Sequence, residues 1–161
     1  MTETKVLNVC TSRRKGVPKR AVETAVLREN HGLEGDAHAG FDHRQVSLLS
    51  TADIDEMRAK GLKLKPGAFG ENLVISGLDT DALGLGSRLS VGLAELEISQ
   101  IGKECHDRCA IYHITGDCIM PRSGLFAVVV RGGEVSRGSA VEVKLAVPRI
   151  GMVLPMVLRE G

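Results

Sequence analysis

GSRLSVGLAELEISQI, residues 86–101, decides the fold class. Ala94, Leu96 and Ile98 alternate with Glu95, Glu97 and Ser99, which is the two-residue period of a strand with one buried face. Val91-Gly92-Leu93 joins it to a strand over 86–91 through a tight hairpin. Working outward, residues 5–10 (KVLNVC) and 73–75 read as strands, with a Pro66-Gly67 turn before the second. Residues 125–131 (LFAVVVR) form a β-branched run ending at Gly132-Gly133, which predicts a second hairpin. The returning stretch, GEVSRGSAVEVKLAV, is divided by Gly138. One helix is predicted after Ser50 and Thr51, with Asp53 as the acid of a capping box, Ile54 and Met57 facing the core and Gly61 closing the end. Asp107 to Ile114 has room for a short helical turn. Many short strands and few short helices predict a mainly β protein, its mixed sheet a closed or nearly closed β-barrel without exposed edges.

The 161 residues fit a single domain, 1–161, large enough to bury a core, with no repeat or low-complexity linker. Lys and Arg number 21 against 20 Asp and Glu, and the aromatics are one Tyr and three Phe. Neither a basic face nor stacking platforms for nucleic acid are expected. The N-terminus lacks the apolar run of a signal peptide, and no stretch is apolar for the roughly 18 residues needed to span a membrane. A cytoplasmic protein is expected, whose four cysteines serve as ligands, nucleophiles or core residues rather than stable disulfides.

Three segments carry chemistry. In HGLEGDAHAGFDHRQVSLL, residues 31–49, glycines including Gly35 surround Asp36, His38, His43 and Arg44 just before a strand. Exposed backbone N–H groups, a forked guanidinium and imidazole donors suit a phosphate or carboxylate; the plainer reading is a tight loop with solvated charges. In LKPGAFGENLVISGL, residues 64–78, Asn72 has both donor and acceptor edges, suited to a heterocycle or to cross-bracing a loop. GKECHDRCAIYHITGDCIMPR, residues 102–122, sets Cys105, Cys109 and Cys118 among Lys103, His106, Arg108 and Arg122. Those cations favour a thiolate, which can ligate a soft metal or hold a persulfide. Zinc on the three cysteines with His106 or His113 stays open, although the paired CxxC knuckle is missing. Cys10, inside a strand, reads as a core residue.

In series, GLEGDAHAGFDHRQVSLLS, GAFGENLVISGL and GKECHDRCAIYHITGDCIMPRSGLFAVVVRGGEVSRGS resemble the successive motifs of a MOSC domain. That module ends the molybdenum-cofactor sulfurases and also occurs as short stand-alone bacterial proteins; the likeness runs from about Val6 to Val143. It implies a pyruvate-kinase-barrel-like fold and a role in handling the molybdenum (or tungsten) pyranopterin cofactor or its sulfur. It further implies that Cys109 binds the metal or carries sulfur; Cys105 and Cys118 are additional to the single-cysteine pattern of many members, and by thiol exchange either can relay the sulfur. Gly35, Asp36, His38, His43, Arg44 and Asn72 would hold the pterin and its phosphate, with Lys103, Arg108 and Arg122 beside the thiol.

Neither the pyridoxal-phosphate desulfurase domain of the sulfurases nor the extra β-barrel domain of the relatives that reduce N-hydroxylated substrates is expected in this chain. A separate cysteine desulfurase would then supply sulfur, and a molybdo- or tungsto-enzyme would receive it. A homodimer is compatible with this reading. The rival readings are a non-catalytic module for zinc, molybdate or tungstate and, last, a thiol oxidoreductase using Cys105 and Cys109.

Overall fold

Gly92 and Leu93 close a two-residue turn. In the computed structural model, which describes residues 4–14, 17–40, 42–102 and 124–149, Val91 pairs with Ala94 across them and Leu89 with Leu96. Gly92 has φ +57°, as the first position of a type II′ hairpin requires. The strands so joined are Arg88–Val91 and Ala94–Ile101, as the alternation predicts.

In chain order the strands are β1 Lys5–Thr11, β2 Arg20–Val22, β3 Thr24–Arg28, β4 Gly32–Leu33, β5 Val46–Ser50, β6 Leu73–Ser76, β7 Arg88–Val91, β8 Ala94–Ile101, β9 Leu125–Arg131, β10 Gly133–Ser136 and β11 Val141–Leu145. The described helix, α1, spans Thr51–Arg58, and a short 3₁₀ turn Thr80–Ala82 follows β6. Ser50 caps α1 by accepting the Asp53 N–H at 3.2 Å, while its hydroxyl donates to the Asp53 carboxylate at 2.8 Å. This satisfies an end donor that the helix itself cannot pair.

Eight strands form one mixed sheet, β11-β7-β8-β9-β5-β6-β1-β2, and β10-β3-β4 form a smaller antiparallel one. β5 and β6 are its parallel pair, Leu48 opposite Leu73, and α1 is the crossover between them. That explains why every residue of β5 is buried. One face joins the main core with Val9, Leu73, Leu96 and Ile98. The other meets a second cluster, Leu49, Ile54, Met57, Val74 and Phe126, beneath α1.

The mainly β, mixed-sheet expectation holds, a closed barrel is not confirmed, and one hairpin needs correction. Among the described strands no sheet closes into a barrel. The sheet curls until its β11 end approaches β1, but they meet only at the isolated bridge Lys5–Ala140 and its neighbouring bonds, such as Val6 N–H to Ser139 O at 2.9 Å. Further along β1, Val9, Cys10 and Thr11 are paired with β2 instead. Nor is Gly132-Gly133 a hairpin. Neither glycine has the positive φ of a type I′ turn, and β10 crosses to the other sheet, Gly133 pairing with Leu27. A Cβ on Gly132 would lie 2.8 Å from Leu27 O, and one on Gly133 2.7 Å from Leu93 C. These glycines permit two backbones to cross closely; they do not reverse the chain.

Candidate functional site

The end of β1, the start of β6 and the loop from β4 to β5 gather at one place. Asn72, immediately before β6, is fully buried and braces the other two strands. Its Oδ1 accepts from Ser47 N–H at 3.0 Å and Ser47 Oγ at 3.2 Å, and its Nδ2 donates to Cys10 O at 3.1 Å. Of the two uses its amide suggests, the observed one is cross-bracing.

Beside it lies a buried charge cluster, a clamp in which Lys19 holds the loop between β4 and β5 through Asp36. Asp36 and Lys19 form an ion pair at 2.8 Å with side chains 0% and 1% exposed. The Asp36 carboxylate also accepts from Ser12 N–H at 3.0 Å and His38 N–H at 3.1 Å. Lys19 Nζ further contacts His38 Nδ1 at 2.9 Å and Ser12 Oγ at 3.4 Å. Burial alone would raise the Asp36 carboxyl, but the Lys19 and backbone hydrogen bonds hold it below the ordinary value. Gly35, at φ +84°, supplies the turn that delivers Asp36.

Next to this cluster, Glu71 accepts the N–H groups of Gly67 at 2.8 Å and Phe69 at 3.0 Å. Burial pushes its carboxyl up in spite of those bonds. Burial, followed by the charge of Glu71, also pushes the Cys10 thiol up to about 12. Cys10 is therefore a protonated core thiol at neutral pH, as its strand position predicts. Gly67 makes the approach of this turn to Lys19 possible: a Cβ there would sit 2.1 Å from Lys19 O, at φ +89°.

The second half of the loop behaves differently. His43 is exposed; its Nε2 contacts Gln100 Oε1 at 2.7 Å and its Nδ1 lies 3.4 Å from Asp42. Its carbonyl accepts from Ser99 Oγ. Gln100 in turn donates to Gly102 O at 2.8 Å, and Gly102 N–H donates to Gly124 O at 2.7 Å. Gly102 and Gly124 bound residues 103–123, so His43 is tied to the stem of the cysteine-bearing segment. Gln45 fixes the rim by donating to Asn30 Oδ1 at 3.0 Å and Asp42 O at 2.9 Å and accepting from Val129 N–H at 3.1 Å. Half-buried Arg44 lies between His43 and Gln45.

The structure thus joins Asp36 with His38, sets Asn72 in the adjoining brace, and places exposed His43 on a rim, with half-buried Arg44 following it in the chain. Cys105, Cys109, Cys118, Lys103, Arg108, Arg122 and the two zinc-candidate histidines lie outside the described residues, as does the predicted turn at Asp107 to Ile114. Among the described residues no group of three or more His, Cys, Asp or Glu is arranged to hold a metal ion. Sequence reasoning missed Lys19, Ser12, Glu71 and Gln100. Glu71 left a trace, an acid flanked by turn glycines whose N–H groups it can accept; Lys19, in a basic run, left none.

The model of the MOSC domain matches residues 35–142, from the clamp loop to β11. The chain belongs to the MOSC domain family. Among solved structures, this MOSC chain is similar to the YUAD protein from Bacillus subtilis at 20% identity and TM-score 0.72, covering 87% of this chain and 94% of that one. It is also similar to YiiM from Escherichia coli, at 22% identity and TM-score 0.66 over 91% and 72% of the two chains. YiiM from Geobacillus stearothermophilus gives 19% identity and TM-score 0.63 over 92% and 77%. At these identities the likeness establishes the MOSC fold alone. Comparison with curated proteins gives no significant match. Among the described residues no helix is long and apolar enough to cross a membrane.

Proposed function

We propose that the chain binds the molybdenum (or tungsten) pyranopterin cofactor and carries sulfur on Cys109 for delivery to a metal–sulfur centre. The observation that carries this reading is the chain of contacts His43–Gln100–Gly102, which ties the rim of the glycine-rich loop to the stem of the three-cysteine segment. Membership of a family associated with that cofactor supports it.

The donor set tests the fit. Lys19 is committed to Asp36, His38 and Ser12, and Asn72 to Ser47 and Cys10, so neither is the main anion ligand. Arg44 and His43 at the rim suit the phosphate, because a planar guanidinium can fork onto two oxygens and an imidazole can add an N–H. Lys103, Arg108 and Arg122 would keep Cys109 as a thiolate. The cofactor, when bound, supplies a metal centre with affinity for sulfur. Loading would proceed by attack of the Cys109 thiolate on the outer sulfur of a desulfurase persulfide. The donor's S–S bond breaks, a new S–S bond forms on Cys109, and the desulfurase cysteine leaves as thiolate, with no net oxidation. Cys118 or Cys105 can pass that sulfur on by the same exchange. The partners are then a cytoplasmic cysteine desulfurase and a molybdo- or tungsto-enzyme.

Two measurements test the proposal. Incubation with a cysteine desulfurase and cysteine should add one sulfur to the intact mass of the wild type and none to Cys109→Ser. Expression in a cofactor-producing host should yield bound pterin with molybdenum or tungsten. Stoichiometric zinc lost on replacing any of the three cysteines would instead establish a structural zinc module.

A further inference from the structure

We infer that Arg13, Arg14, Arg20 and Lys65 form a docking surface for a protein partner with a carboxylate-rich face, beside the buried Asp36–Lys19 pair. The proposed function gives these four residues no role, and the inference stands or falls without any bound cofactor.

The sequence concentrates positive charge here. Residues 11–22 and 62–70 hold seven of the chain's 21 Lys and Arg and none of its 20 Asp and Glu, so the near-zero net charge hides a local excess. The fold brings the two stretches together. Lys19 N–H donates to Gly67 O at 2.9 Å, and Lys65 opens the turn that carries Gly67, with Ala68 N–H donating to Lys65 O at 3.1 Å. Arg20 is paired with Thr11 across β1 and β2. The Arg14 carbonyl accepts from Ser12 Oγ at 3.0 Å. Ser12 is itself bonded twice to the site loop, its N–H donating to Asp36 Oδ1 at 3.0 Å and its carbonyl accepting from Ala37 N–H at 2.7 Å.

Arg13, Arg14, Arg20 and Lys65 are exposed, and none of them meets a carboxylate among the described residues. Elsewhere the fold pairs its arginines: Arg28 lies 3.7 Å from Glu34 and Arg58 3.1 Å from Asp55. The acids nearest these cations are turned away from them. Asp36 is held by Lys19, Glu71 by the N–H groups of Gly67 and Phe69, and Glu23 lies 3.6 Å from Arg137. Like charges left together repel, and an opposed acidic surface relieves that repulsion.

A small phosphate fits this surface less well. The N–H groups of Ser12, Lys19 and Ala37, which would have to cradle it, are all donated within the protein. A nucleic acid would use aromatic side chains set among the cations for stacking. Phe69 is the one aromatic in the two stretches, and it packs against the second core cluster beneath α1. Dispersed, exposed cations suit dispersed carboxylates on a protein surface, where long-range attraction matters more than fixed geometry.

The test titrates the full chain into a fluorescein-labelled oligoglutamate peptide, read by anisotropy. Wild type should bind, and binding should weaken about tenfold or more as salt rises from about 0.01 M to about 0.15 M, over which the Debye length shortens from about 30 Å to about 8 Å. Absence of binding at the lower salt overturns the inference. The combined variant Arg13→Glu, Arg14→Glu, Arg20→Glu should lose about tenfold or more at low salt. A control of the same net charge, Lys5→Glu, Arg131→Glu, Lys144→Glu, reverses three exposed cations elsewhere and should lose no more than about twofold. Equal losses in the two variants overturn the inference, because net charge rather than this surface would then hold the peptide. If the first variant does not fold, Arg13→Glu with Arg14→Glu, outside the strands, decides in its place. Inorganic phosphate or a single-stranded oligonucleotide bound through these arginines in preference to oligoglutamate also overturns it, by assigning the surface to another ligand. None of these readings needs sulfur or pterin, so failure here is separable from failure of the proposed function.

Discussion

The loop between β4 and β5 has two halves built from the same residue types and used in opposite ways. At its start, Asp36 and the inner edge of His38 are turned inward onto Lys19, and their polar atoms are met by protein. At its end, Asp42 and His43 are exposed, and His43 reaches sideways to the stem of the cysteine segment. The difference is one of desolvation: a charge without water needs a fixed partner, whereas a rim charge keeps water and can exchange it for a ligand. The buried Asp36–Lys19 pair should govern stability and the exposed rim binding.

The sharpest way to break the comparison is Lys19→Met. It strands a buried carboxylate, so unfolding stability at pH 7 should fall by about 3–5 kcal/mol, read from urea denaturation. The sign with pH follows from Asp36. Its folded-state titration is depressed, so the clamp's contribution is present above the unfolded carboxylate value and is lost as pH falls through the folded one. The deficit of Lys19→Met should therefore narrow on acidification through the carboxylate range. A deficit that stays constant would show that the lost stability is packing rather than charge. Glu71 runs the other way: its folded value is raised, so its contribution is full below the unfolded value and is lost as pH rises through the folded one.

Asn72→Leu comes next. It keeps the volume but takes the side-chain partner from Ser47 N–H and Cys10 O inside the protein, while Ser47 Oγ keeps Gly70 O and the backbone N–H of residue 72. A loss of about 2–3 kcal/mol is expected, since unmet buried groups cost more than the bonds themselves contribute. If thermal stability hardly moves while cofactor recovery collapses, Asn72 belongs with the rim and the division drawn here is wrong.

How much of this was legible follows from range. β7 and β8 were readable because alternation and the Gly92 turn are local signals, and α1 because Ser50 and Asp53 are three residues apart. β2 and β4 were not: they span three residues and two, too short to display a period. Lys19 sits in RRKGVPKR, a run that reads as solvated charge, and its burial depends on an aspartate seventeen residues on. Gly132-Gly133 announces a turn, yet its use is a crossing with Leu27 that no local window contains. In the candidate site the residue types were legible and the partnerships were not. Asp36, His38, His43 and Asn72 stood out, but only folding separates clamp, brace and rim.

Smaller still is Ser50→Ala, which removes the cap on α1 and should cost about 1 kcal/mol. Because α1 covers the far face of β5, the change should leave sulfur loading by a cysteine desulfurase untouched. Impaired loading in the folded variant would mean that the helix and the site are one cooperative unit.

The smallest stability effect is assigned to a residue linked to the stem of the cysteine segment through Gln100. His43→Ala removes an exposed ring whose neighbours Gln100 and Asp42 can turn to water, so stability should change by no more than about 0.5 kcal/mol. Binding should respond out of proportion. His43 is the tie between the loop rim and Gln100, which itself holds Gly102 at the stem of residues 103–123. Without it, the proposed phosphate donors and the proposed sulfur-bearing thiol lose their common reference point, and a misplacement of about 1 Å can cost on the order of a hundredfold in transfer. The rate of sulfur loss from persulfidated protein to an acceptor, compared for His43→Ala and wild type at equal loading, measures this directly. Unchanged transfer would mean that the rim and the thiol act independently, and that the two halves of the loop differ in burial alone.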